Sequence, residues 1–244
     1  MLSKSQIKLI TSLKQKKYRQ QHQLFVVEGK KTINELLNSQ FQLEHLYTIT
    51  SDFEVSDVLQ TKITPNELKK ISFLKTPNAA LAIFKMPKQQ PLNFEGLIVA
   101  LDDVRDPGNL GTIIRLCDWF GVQHLLCSKA TVDCYNPKVI QATMGSITRV
   151  NIVYDTIEDL LKTQNIPVFG AFMDGENVYQ KSLPTKGVII MGNEANGISE
   201  DISKLVTQKI AIPRFGDTQE TESLNVANAT AIILSEFLRR SIGT

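Results

Sequence analysis

GLIVALDDVRDPGNLGTIIRLCDWFGV, residues 96–122, decides the fold. Its first six residues are a continuous apolar run, the pattern of a strand buried on both faces. A loop rich in Asp, Gly and Asn follows. Leu110, Ile113, Ile114 and Cys117 then fall at the i, i+3, i+4, i+7 spacing of a helix, predicted from Asn109 to about Phe120. The same strand–helix rhythm continues downstream. HLLC (124–127), VNIVY (150–154), PVFGAF (167–172), GVIIM (187–191) and KIAIP (209–213) read as strands. Asn136-Pro137 opens a helix reaching Met144, and Thr156 with Asp159 opens the next. A further helix starts near Ser199, and the last runs from about Asn225 to Arg240. Repeated units of this kind predict a largely parallel sheet with helices on both faces.

Upstream, KMPKQQPLNFEG (85–96) reads as a linker, with two prolines and two glutamines between apolar segments. Before it the elements are short and mixed. Residues 3–16 read as a helix, 23–27 as a strand, 29–38 as a helix and 43–49 as a strand. Residues 65–72 form a helix with Thr64 as cap, Pro65 at its first position and Glu67 completing a capping box. ALAIF (80–84) closes this half as a strand. The expected division is 1–92 and 93–244, a small N-terminal α/β domain followed by a parallel-sheet α/β domain.

The 244 residues carry 27 basic and 25 acidic side chains, a net charge of +2, with 42% apolar residues. That mix excludes disorder and collagen-like repetition. No apolar run approaches ~18 residues, so no membrane-spanning helix is expected, and nothing near the N-terminus resembles a signal-peptide core. Three cysteines without CxxC spacing suit a reducing cytoplasm, and three scattered histidines offer no metal site. The charge is uneven. Residues 1–40 hold eight Lys/Arg against two Asp/Glu. Lys14, Lys16, Lys17, Arg19 and Lys30 belong to this basic cluster, a candidate RNA-binding patch that reads equally well as a solvated helix face.

Ligands of open parallel sheets sit beyond the carboxyl ends of the strands. Three strand-exit loops here are dense in Gly and polar residues: DDVRDPGNLGTIIR (102–115), GNEANGIS (192–199) and RFGDTQETESLN (214–225). Parallel strands would bring all three to one edge. Asn109, between Gly108 and Gly111, is placed to cap its helix, whose start offers N–H groups to an anion. Arg115 lies off the apolar stripe, free to face a ligand. Glu194 supplies a carboxylate, and Ser223 and Asn225 precede the last helix with donors and acceptors, although Ser223 reads equally as an N-cap. Asp102 and Asp103 read best as acceptors for backbone N–H groups. GxGxxG, GxxxxGK[ST] and GxSxG are absent, and no histidine falls in these loops, which argues against dinucleotide, P-loop and Ser–His chemistry. The residues alone thus define a small-molecule cleft with a possible nucleic-acid patch.

The three loops, in this order, resemble the motifs of the SpoU (TrmH-like) family of RNA 2′-O-ribose methyltransferases in the SPOUT superfamily. LDDVRDPGNLGTIIRLCDWFGV resembles the first motif, IIMGNEANGIS the second and IAIPRFGDTQETESLNVANATAI the third. EGKKTINELLNS (28–39) and TPNAALAIF (76–84) resemble the family's substrate-binding domain. The resemblance implies a trefoil-knotted C-terminal domain, a homodimer with its site at or near the interface, and S-adenosyl-L-methionine as cofactor. It implies methyl transfer to structured RNA, rRNA ahead of tRNA, with guanosine as one candidate nucleotide. Carried over by position, Asn109, Arg115, Glu194, Ser223 and Asn225 are the catalytic candidates. Gly192, Ile212 and Leu224 are the cofactor candidates, followed by Thr143 and Gly145. Two positions depart from the pattern: Arg214 where the family commonly has Met, and Ala227 where it commonly has Ser. The competing readings are a noncatalytic RNA-binding or ribosome-assembly protein on the same fold, and a small-molecule enzyme using another nucleotide.

Overall fold

The computed structural model describes residues 1–216 and 223–239. Residues 217–222 of the third loop, and Arg240 at the expected end of the last helix, lie outside the described residues. The chain forms two compact units. One comprises 1–88 with 133–148, the other 89–132 with 149–244.

The first unit is built on a four-stranded sheet. Its strands are β1 (Leu24–Glu28), β2 (Leu43–Thr48), β3 (Gln60–Lys62) and β4 (Ala80–Lys85), in the order β1-β4-β2-β3. β4 is antiparallel to both of its neighbours, and β3 lies parallel to β2. Five consecutive buried residues in β4 show that both faces are covered. On one face Val26, Tyr47, Leu81 and Ile83 pack with Ile10, Leu13 and Leu68. Elsewhere Phe25 meets Phe41, Phe84 and Tyr135. Thr64 and Glu67 form the expected reciprocal cap of helix Pro65–Ile71, with Pro65 in its first turn.

The single helix expected over 3–16 is two, Lys4–Ser12 and Lys16–His22. Arg19 explains the break. Its Nη1 donates to the carbonyls of Leu13 (2.9 Å) and Lys14 (2.8 Å), groups a continuous helix would have bonded internally. Its Nε donates to Asp133 (2.9 Å), and the side chain is only 2% exposed. Arg19 therefore leaves the candidate RNA patch: buried and paired, it is a structural residue. Lys14, Lys16 and Lys17 remain exposed, and Lys30 pairs at the surface with Asp52. Asp133→Ala strands the buried guanidinium. It is expected to cost about 3–5 kcal/mol, read as a lower urea midpoint for the full chain; an unchanged midpoint would contradict this role.

Asp133 also marks where the compact units depart from a contiguous division at 92/93. Residues 133–148 leave the second half of the chain and pack into the first unit. Tyr135 lies 4.7 Å from Phe25 between ring centroids. Gly145, at φ +98°, backs onto Glu35, where a Cβ would come within 2.8 Å of that side chain.

The second unit carries a six-stranded sheet. Its strands are β5 (Leu97–Leu101), β6 (His124–Cys127), β7 (Asn151–Tyr154), β8 (Val168–Asn177), β9 (Gly187–Met191) and β10 (Gln208–Ala211). The order is β10-β8-β9-β5-β6-β7, and every pairing is parallel. β5 and β9 are buried along their whole length, as continuous apolar runs in a covered parallel sheet require. Helix Pro107–Trp119 buries Leu110, Ile113, Ile114 and Cys117, the predicted stripe, and packs on helix Val226–Leu238. β8 runs further than its sequence suggests. Its register against β10 jumps from Gly170 to Glu176 at Lys209/Ile210, so residues 171–175 stand out of the ladder.

Candidate active site

The loops after β5, β9 and β10 leave the same edge of the sheet, because all three strands run parallel. Hydrogen bonds then tie them together. Asp102, 7% exposed, accepts from the Ser199 N–H at 2.7 Å, which is the backbone-acceptor role expected for it. Asn193 Nδ2 donates to the Asp103 carbonyl at 2.7 Å, while its Oδ1 accepts from Ala195 and Asn196 N–H. The first and second loops are thereby locked. Gly192 makes the second loop possible: a Cβ there would sit 2.3 Å from the Gly197 carbonyl carbon.

Asn109 does not cap its helix. Asp106 does, accepting from the Asn109 N–H at 2.8 Å, with Pro107 in the first turn. That frees the Asn109 side chain. Its Nδ2 donates to Glu194 Oε1 at 2.6 Å, and its Oδ1 accepts from Asn225 Nδ2 at 2.8 Å. Asn225 Oδ1 in turn accepts from Ala227 and Asn228 N–H and caps the last helix. Ser223 is therefore not the cap and lies exposed beside the cavity. The polarity of the chain is forced from both ends. An ionised carboxylate only accepts and a backbone N–H only donates, so each asparagine has one orientation that satisfies both neighbours. Glu194, Asn109 and Asn225, one from each loop, thus form a directed relay. Because the cap comes from Asn225, the helix start does not need a hydroxyl at Ala227, which is buried.

Alongside the relay lies a cavity of about 630 Å³. Gly192, Glu194, Ile212, Ser223 and Leu224 all line it, as does Arg214. Its inner wall is apolar, built from Met191, Ile210, Val226 and Ile233. Thr143 and Gly145 belong to the segment packed into the first unit, where Thr143 is fully buried and a Cβ at Gly145 would meet the Glu35 side chain. Arg115 is exposed on helix Pro107–Trp119 and has no ion-pair partner among the described residues. The residues the sequence left unassigned are Asn193, the cap residue Asp106 and the cavity-lining strand residues Ala171–Met173. Asp-Pro before a helix was a legible cap signal, and the polar first turn of GNEAN a legible Asx turn.

A parallel α/β sheet whose strand-exit loops border a cavity defines a protein with a small-molecule cleft at the carboxyl edge of its strands. Comparison narrows it. Residues 96–235 match the SpoU rRNA Methylase family, and residues 4–82 match the MRM3-like substrate binding domain. The chain belongs to the SpoU rRNA methylase family. It is 28% identical over 228 residues to the 23S rRNA (guanosine(2553)-2′-O)-methyltransferase RlmP of Bacillus subtilis, covering 90% of each chain. A TrmH-family protein from Porphyromonas gingivalis superimposes with a TM-score of 0.90 at 38% identity, over 98% of this chain and 99% of that one. An AdoMet-bound rRNA methyltransferase from Sinorhizobium meliloti superimposes at 0.86 and 28% identity, over 98% and 97%. No helix among the described residues is long and apolar enough to cross a membrane, and no cluster of His, Cys, Asp or Glu among them could hold a metal ion.

Proposed function

We propose that this chain transfers a methyl group from S-adenosyl-L-methionine to a ribose 2′-hydroxyl of rRNA, with guanosine as the first candidate nucleotide. The observation that carries the reading is the Glu194–Asn109–Asn225 relay at the rim of the cavity. The named activity of the Bacillus subtilis relative supports the same substrate and chemistry. The cavity fits the cofactor. Its volume lies within the roughly 300–1,000 Å³ range of small-molecule sites, and its wall is apolar with loop backbone at Gly192, Ile212 and Leu224. When bound there, S-adenosylmethionine supplies a methyl group already activated on a sulfonium.

The chain's own residues then have to position the sugar. Bringing two substrates into line supplies most of the acceleration in such a reaction. Glu194 fixes Asn109, Asn109 fixes Asn225, and the three loops become one rigid rim. Arg115 binds the phosphate next to the target ribose and stabilises negative charge on the hydroxyl oxygen as its proton leaves. A guanidinium does not act as the base, because it stays protonated in proteins. Ser223 and Asn225 order the third loop against RNA and cofactor. The active form in this reading is a homodimer with a trefoil-knotted catalytic domain, working in the cytoplasm. Trp119, 84% exposed one helical turn from Arg115, supports a partner surface on that helix. The basic segment of the first unit, Lys14, Lys16 and Lys17, holds the RNA backbone.

Tritium transfer from labelled S-adenosylmethionine to rRNA purified from cells lacking this gene tests the reading. Label in RNA is expected, and its absence would favour a noncatalytic RNA-binding protein. Reversing Lys14, Lys16 and Lys17 to Glu is expected to weaken RNA binding and to flatten its salt dependence by about two to three in the log–log slope. Unchanged affinity would return these lysines to ordinary solvation.

A further inference from the structure

The rim of the cavity carries apolar side chains that its interior does not need. Inside, Met191, Ile210, Val226 and Ile233 are buried and already provide an apolar wall for the cofactor. At the mouth, Phe215 is 83% exposed, Met173 59% and Leu224 49%. They come from two parts of the chain: the loop between β10 and the last helix, which carries Phe215 and Leu224, and the bulged stretch of β8, which carries Met173. Leaving a phenylalanine in water forgoes its burial, and three exposed apolar side chains gathered at one cleft, unlike one scattered over a surface, suit a ligand with an apolar face.

We propose that Phe215 stacks on the nucleobase of the nucleotide being methylated, with Met173 and Leu224 as the apolar lip beside it. The proposal rests on the methyl-transfer reading above and deepens it by assigning the base subsite. The chemistry selects the occupant. A 2′-hydroxyl reaches the cavity only with its own base attached to the neighbouring sugar carbon, so that base lies at the mouth whenever the ribose is in place. Its flat faces lose their RNA neighbours as the nucleotide enters, and an aromatic ring replaces that stacking. We assign the cofactor to the buried wall of Met191, Ile210, Val226 and Ile233, which leaves the exposed Phe215 for the base. Stacking alone discriminates weakly among bases, so Phe215 contributes affinity for the entering nucleotide rather than its identity.

The test compares wild type, Phe215→Ala, Phe215→Leu and Phe215→Tyr as full-length chains. Labelled S-adenosylmethionine and rRNA from cells lacking this gene are the substrates, and calorimetry reads cofactor affinity separately. Phe215→Ala is expected to raise KM for rRNA roughly ten-fold, equivalent to about 1.4 kcal/mol, with cofactor affinity unchanged. Phe215→Tyr restores wild-type KM, whereas Phe215→Leu, apolar but not aromatic, does not. Wild-type KM in Phe215→Ala overturns the stacking role alone. So does full rescue by Leu, and so does a loss confined to cofactor affinity. No transfer by the wild-type chain overturns the methyl-transfer reading, and the base subsite falls with it.

Discussion

Asn109→Asp is expected to lower methyl transfer roughly 100- to 1,000-fold, in the range seen when one positioned polar group is removed from an active site. The substitution is nearly isosteric, so the helix keeps its Asp106 cap and its apolar stripe. What changes is polarity. The Nδ2 that donates to Glu194 at 2.6 Å becomes an oxygen, and two carboxylates face each other. The link to Asn225 at 2.8 Å survives as a contact, but the relay loses its hydrogen bond to Glu194, while Asp102–Ser199 and Asn193–Asp103 still join the first two loops. Cofactor affinity should change far less than turnover, because the cavity wall does not include Asn109. Wild-type turnover in this variant, measured by labelled transfer at saturating RNA, would show the relay to be incidental.

Arg115→Ala is expected to reduce turnover about 1,000-fold or more, again with S-adenosylmethionine binding intact. Arg115 is exposed and points off the stripe that anchors its helix, so its removal leaves no buried hole. In the proposed mechanism its contribution is reserved for the phosphate and for the oxygen that gains charge. Arg115→Lys should recover little, because a single ammonium does not reproduce the guanidinium's paired donors. Loss of cofactor binding together with activity would mark Arg115 as structural instead.

Much of this site was legible in the sequence, for identifiable reasons. Apolar runs such as GLIVAL and GVIIM are long enough and pure enough to specify buried parallel strands, and parallel strands bring their exit loops to one edge. Glu194, Asn109 and Asn225 followed from that edge, although the hydrogen bonds joining them did not. The caps divide. Asn109 and Ser223 both have N-cap chemistry, but Asp106 and Asn225 hold those positions; the Asp106-Pro107 pair announces the first, whereas nothing local separates Ser223 from Asn225. Long-range pairings were illegible. Arg19 sits in a run of lysines and reads as one more surface cation until Asp133, far along the chain, takes it inside. The same pairing takes Thr143 and Gly145 with it, because residues 133–148 follow Tyr135 and Asp133 into the first unit. β3, the polar triplet Gln60–Lys62, has no apolar alternation to announce it; its place comes from pairing with β2.

The central claim, that three distant loops assemble one rim where a sugar hydroxyl receives a methyl group, is tested most directly by mapping 2′-O-methylated nucleotides across the rRNA of cells with and without this gene. The account predicts that one ribose methylation disappears without the gene, returns with the wild-type chain and stays missing with Asn109→Asp. Identical maps in the two strains, or full restoration by Asn109→Asp, would contradict it.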